Sequence, residues 1–169
     1  RRRVGATPSY SGGILVCPTS ASAAIGIDVV RREFAWVYRY PREAQSEVEA
    51  RNLWQRQQVQ AQLVRANNQW LDNSAIIADD RVLLTPPESA EIHCLDLHTG
   101  KLAWKQRQGD ALFIGGVDRG NVLLVGSQAV QALRLSEGAP AWKQESVALP
   151  TGALPAGHGY LSQGRYFLP

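Results

Sequence analysis

Short apolar runs alternate with polar turns along most of this chain. Residues 12–13 (Gly-Gly) lead into Ile, Leu, Val and Cys at 14–17. Residues 79–80 (Asp-Asp) lead into Val, Leu and Leu at 82–84, and residues 119–121 (Arg-Gly-Asn) lead into Val, Leu, Leu and Val at 122–125. A Gly- or Asp-rich turn before a short β-branched or Leu run predicts a strand. A second pattern follows each of these runs. Residues 26–36, 94–104 and 132–142 fall on one template: a small residue, an aliphatic one, a polar one (Asp28, Asp96, Arg134), a turn, then Ala-Trp ending on Trp36, Trp104 and Trp142. Self-similarity on this scale predicts stacked supersecondary units.

One unit parses into four strands: near 75–78, 82–85, 91–97 and 102–106, with turns at 79–80 and 98–101 and a Pro-Pro-Glu-Ser loop from 86. Trp104 and Trp142 lie 38 positions apart, so a unit of this length fits one blade of a β-propeller. A β-sandwich would also supply evenly spaced strands, but it does not require Ala-Trp at a fixed offset after a turn in every unit. The fold class predicted is all-β, a partial β-propeller of four-stranded antiparallel blades. The expected organisation is a first blade over 1–40, an insertion over 41–69, blades over 70–108 and 109–146, and the start of a fourth over 147–169.

The template kept best at 94–104, small-x-Asp-x-x-Thr-Gly-Lys-x-x-Trp, resembles the tryptophan-docking repeat of the pyrroloquinoline quinone (PQQ)-like β-propellers. That superfamily includes quinoprotein alcohol dehydrogenases and propeller-type outer-membrane assembly lipoproteins. The resemblance covers nearly the whole chain outside 41–69. The copies depart from it in places. Arg31-Arg32 stand where the family favours Thr-Gly, Arg134 replaces Asp, and Pro140 falls in the last strand. The resemblance implies a blade-docking role for Trp36, Trp104 and Trp142, supported by Asp28, Asp96, Gly100 and Gly138. The physics agrees. An indole is large and apolar with one N–H donor, Gly allows the positive φ of a tight turn, and Asp accepts backbone N–H bonds that close it. Loss of one such buried Trp is expected to cost about 3–5 kcal/mol.

Composition adds less. The formal net charge is +3, much of it from Arg1, Arg2 and Arg3. No basic stripe interleaved with aromatics appears, so nucleic acid is not expected as a partner. No apolar run is long enough to predict a membrane span. The chain contains no Met and closes inside a strand-like run. Three blades would leave open sheet edges, so a portion of a longer propeller is expected, its remaining blades being the first partners. By the resemblance the setting is periplasmic or otherwise extracytoplasmic.

Candidate chemistry is sparse. Cys17 and Cys94 fall on different units and strands, which favours free thiols over a disulfide, and they form no Cys-x-x-Cys pair. The vicinal disulfide that some quinoprotein dehydrogenases carry beside the cofactor has no counterpart. His93 is expected inside a strand, pointing away from Cys94, His98 in a solvated turn and His158 in a Gly-rich turn, with no metal-ligand spacing among them. No catalytic, cofactor-binding or metal-binding residue is carried over from the family. PQQ and Ca²⁺ are expected only if the chain belongs to a dehydrogenase.

Residues 42–65 are rich in Glu, Gln, Ala and Arg with no Gly or Pro. That composition predicts a helix in one or two pieces, a polar loop being the alternative. The insertion joins the outer strand of one blade to the inner strand of the next. It should therefore stand near the loops at 18–22 and 86–89, and Trp54 is its candidate contact for a partner. The function expected is a non-catalytic binding or scaffold module for a protein or polymer. The alternative is part of a PQQ-dependent dehydrogenase oxidising alcohols or sugars.

Overall fold

The computed structural model describes residues 7–19, 21–41, 70–71 and 73–169. The helix expected over 42–65, and Trp54 with it, lie outside the described residues. The described elements are all strands. The first sheet is β1 (Ser9–Ser11), β2 (Ile14–Pro18), β3 (Ala23–Asp28) and β4 (Glu33–Arg39). The second is β5 (Ile76–Ala78), β6 (Arg81–Leu84), β7 (Glu91–Asp96) and β8 (Leu102–Arg107). The third is β9 (Ala111–Asp118), β10 (Asn121–Gly126), β11 (Ala129–Arg134) and β12 (Ser146–Ala148). Each is a four-stranded antiparallel meander in chain order, and a two-stranded hairpin of β13 (Tyr160–Ser162) and β14 (Arg165–Phe167) follows. This is a partial propeller of PQQ-like blades.

The blades stack face to face because their middle strands, such as β6, β7 and β10, are apolar on both sides. In β6 and β7, Val82, Leu84 and Leu95 face the first blade, where they pack with Ile14, Val16, Ala24 and Trp36. Their neighbours Leu83, Ile92 and Cys94 face the third blade and pack with Trp104, Val122, Leu124, Leu133 and Leu135. Strands buried on both faces read as continuous apolar runs, not as an alternation. The inner strands stand side by side: β5 neighbours β1, and β13 neighbours β9. A parallel bridge joins Thr7 to Ser74, and the Ser9 hydroxyl donates to the Ala75 carbonyl.

The third outer strand departs from the expectation of three equivalent Trp-bearing strands. Leu133 and Pro140 form only an isolated bridge, residues 142–145 are bends, and β12 starts at Ser146 to pair with Ala129–Gln131. Pro140 has no N–H to give to a ladder and fixes its own φ. Trp142 therefore sits in a bend, half-buried, whereas Trp36 and Trp104 lie in strands at 7% and 8% exposure.

Candidate functional site

Among the described residues, polar and aromatic side chains come together at the seams between blades and at the end of the molecule where Tyr40 leaves the first blade and Trp70 enters the second.

At two seams a tryptophan reaches across to the next blade. Trp36 Nε1 donates to the Leu97 carbonyl at 2.7 Å, and Trp104 Nε1 donates to the Leu135 carbonyl at 2.7 Å. The rings lie against Gly100 and Gly138. A Cβ on Gly100 would fall 2.5 Å from Trp36 Cδ2, and one on Gly138 would fall 2.6 Å from Trp104 Cδ2. Both glycines also hold positive φ, +65° and +74°. So these two glycines do two jobs. They turn their own hairpin, as read from sequence, and they form the seat for the preceding blade's indole. The carbonyl acceptors were not singled out by the sequence reading. The signal was there: Leu97 and Leu135 each follow the template's polar residue by one position. Within a blade the ring also needs room opposite its own strand. Gly26 pairs with Trp36, and a Cβ there would meet Trp36 Cε2 at 2.2 Å.

The turns are closed as side-chain chemistry dictates. Asp96 Oδ1 accepts from the backbone N–H of His98 at 3.2 Å and Thr99 at 2.9 Å, and from the Thr99 hydroxyl at 2.8 Å. The Thr99 bonds hold its carboxyl below the ordinary carboxylate range, with smaller help from His98 N–H and the Arg81 guanidinium. Asp28 Oδ1 accepts from Val30 at 3.0 Å and Arg31 at 2.8 Å. Arg134 cannot accept, and its turn closes through its backbone, with Gly138 N donating to Arg134 O at 2.8 Å and a surface ion pair to Glu137 at 2.6 Å.

The cysteines are free: Cys17 is half-buried and Cys94 is buried. Burial pushes the Cys94 thiol up to about 12, slightly opposed by Arg81, so it is not a nucleophile at neutral pH. His98 is exposed, 3.7 Å from Asp80, and the His158 ring packs tilted at 52° against Phe113 with centroids 4.4 Å apart. Among the described residues no group of three or more His, Cys, Asp or Glu is gathered that could hold a metal ion.

At the other place, His93 is fully buried between the first two blades, on the opposite face of β7 from Cys94. The Tyr38 hydroxyl lies 2.9 Å from its Nδ1, and the Ser89 hydroxyl 3.2 Å from its Nε2. A neutral imidazole donates at one nitrogen and accepts at the other, so one hydroxyl gives a proton and the other takes one. Burial holds His93 below its ordinary value; Glu91 draws it back up and Lys105 pushes it further down. Burial, then Glu91, raises the Tyr38 phenol. With Ser89 at 6% exposure and His93 at 0%, this is a satisfied polar staple and not an accessible nucleophile.

Tyr40 follows β4 and ties its end to the β2–β3 loop: Tyr40 N donates to Ser22 O at 3.1 Å and its hydroxyl to Thr19 O at 3.5 Å. The chain returns at Trp70, 2% exposed, and Leu71 N donates to Leu112 O at 2.9 Å. Gln108 N donates to Ala90 O at 2.7 Å at the same end. Among the described residues, Trp70 Nε1, Glu88 Oε2 and Gln108 Oε1 are buried without a hydrogen-bond partner.

A profile of the family described as outer membrane protein assembly factor BamB matches residues 46–162. The chain belongs to this PQQ-like propeller family. The fold of the family recurs in solved structures. BamB from Moraxella catarrhalis is 19% identical with a TM-score of 0.60, over 93% of this chain and 40% of that one. A europium-containing methanol dehydrogenase is 16% identical with a TM-score of 0.57, over 86% of this chain and 24% of that one. Quinohemoprotein alcohol dehydrogenase from Comamonas testosteroni is 19% identical with a TM-score of 0.54, over 83% of this chain and 21% of that one. The chain thus spans well under half the length of these proteins. No curated protein matches it significantly. Among the described residues no helix is long and apolar enough to cross a membrane.

Proposed function

We propose that this chain is part of a non-catalytic propeller that binds a protein during outer-membrane assembly, through the end carrying the loops at 18–22 and 86–89 and the connection 41–69. The observation that carries the reading is the match of residues 46–162 to the family described as outer membrane protein assembly factor BamB. Loops and insertions at one end of a repeat array are also where binding concentrates. The family description points to assembly rather than oxidation. The extracytoplasmic setting belongs to the same proposal, as does Trp54 as a contact.

The second reading, part of a PQQ-dependent dehydrogenase, is favoured by the likeness to two such enzymes. The described residues gather no carboxylate set for Ca²⁺ beside a quinone, and no step through that cofactor is drawn from them. Two experiments on the complete protein separate the readings. Residues 43–67 are replaced by a short Gly-Ser turn, with the expectation that the melting temperature is kept and partner crosslinking from positions 21 and 87 is lost. The intact protein is titrated with PQQ and Ca²⁺. Stoichiometric micromolar binding with dye-linked alcohol oxidation would overturn the scaffold reading.

A further inference from the structure

The first blade offers a tryptophan to its neighbour but has no seat to receive one. Gly100 and Gly138 stand four positions after Asp96 and Arg134, and the residue at that offset from Asp28 is Arg32. The backbone there is the same. Arg32 has φ +60° beside +65° and +74° for the glycines. Val29 N donates to Gly13 O at 3.0 Å, just as Leu97 N donates to Asp80 O at 2.9 Å and Leu135 N to Gly120 O at 2.8 Å. Only the Cβ is new, and it occupies the place where the seated indoles come to within 2.5–2.6 Å of an ideal Cβ at Gly100 and Gly138. A non-Gly residue is disfavoured at this φ, so the turn keeps its shape against its own side chain.

The face around that turn is nonetheless built to be covered. Register places Tyr10, Leu15, Cys17, Ile25, Ile27, Phe34 and Val37 on the side of the first sheet away from the second. Phe34 is 73% exposed, Tyr10 62% and Val37 56%. The corresponding side of the second sheet, with Ile77, Val82, Leu84 and Leu95, is the one the first blade buries. A contiguous apolar sheet face of this kind marks an interface.

We infer that in the complete protein this face is covered by a further blade of the same propeller, one that brings no tryptophan to the turn at 29–32. The occupant is a blade because the face repeats, strand for strand, the one that a blade already covers on the second sheet. The solved Moraxella relative, of which this chain spans 40%, has the length to supply more of them. The seam at the first blade is therefore held by apolar packing without an indole.

Two measurements on the complete protein test this. Cys17 lies on the face and is a free thiol, with buried Cys94 as the internal control. Its native-state maleimide labelling, followed by mass spectrometry, should be at least 100-fold slower than in urea. A photo-crosslinking phenylalanine derivative at Val37 should then join, within one polypeptide, to an outer strand whose residue at the template position is not Trp. Labelling of Cys17 at the unfolded rate would show the face open and overturn the inference. Crosslinks between two polypeptides, or to a strand bearing a seated Trp, would overturn it as well. The labelling readout stands even if the Val37 variant fails to fold.

Discussion

The two complete seams and the third outer strand carry the same template and end differently. In the first two, an indole leaves a regular strand, donates to a carbonyl 2.7 Å away and lies on a glycine of the next blade. In the third, Trp142 is carried off the ladder by Pro140 and remains half-buried. The residue type is constant, so the difference seen among the described residues lies in the backbone that presents it. In both complete seams a ladder aims the tryptophan and a Cβ-free turn accepts it.

That contrast should be largest in truncation. Trp36→Ala and Trp104→Ala in the complete protein should each lose about 3–5 kcal/mol in urea unfolding. Trp142→Ala should lose no more than about 1 kcal/mol. Equal losses at all three positions would abolish the distinction between regular and broken outer strands.

The receiving turns come next. Gly100→Ala and Gly138→Ala force a Cβ into an indole and should cost about 1–3 kcal/mol beyond the backbone term. Gly120→Ala isolates that backbone term, because its φ is +73° and nothing lies within 4 Å of its Cβ; it should cost about 1–2 kcal/mol. If all three cost the same, the close approach of the ring contributes nothing.

Turn closure is a smaller matter. Asp96→Ala removes the acceptor of three hydrogen bonds and should cost about 1 kcal/mol. Arg134→Ala, which removes only an exposed ion pair, should stay within about 0.5 kcal/mol. Thermal unfolding of the two variants side by side distinguishes them.

The gentlest effect is a pH dependence at the first seam. His93 has its folded pKa below its unfolded one, so the unfolded chain binds the proton first. Stability should be flat above the unfolded value of about 6.5 and fall as pH drops below it towards the folded value. His93→Gln should flatten that slope between pH 7 and 5. A slope unchanged by the substitution would remove His93 as its source.

Much of this was legible. The turn-and-run pattern located β5 to β8 to within a residue or two, since Asp79-Asp80 and Gly100 interrupt an otherwise apolar sequence. The family followed from the Asp-x-x-Thr-Gly-Lys-x-x-Trp spacing. What escaped was whatever depends on a neighbour. Gly100 reads as a hairpin glycine from its own strand, and only the adjacent blade reveals the indole on it. His93 reads as one strand residue among others, because Tyr38 lies 55 positions away. Pro140 was noted as a departure, but its effect on Trp142 depends on the ladder partner that it fails to bond.

The second blade has a property the other two lack. It takes an indole on Gly100 and offers one from Trp104, so its two sides are complementary to each other. A duplicate of residues 71–108 spliced in after Gln108 would find a ready acceptor on one flank and a ready donor on the other. Lengthening such a protein by gene duplication, or by design, is simplest at this unit. Copying the first blade instead would place Arg32 beneath a tryptophan and stall the array at the new joint.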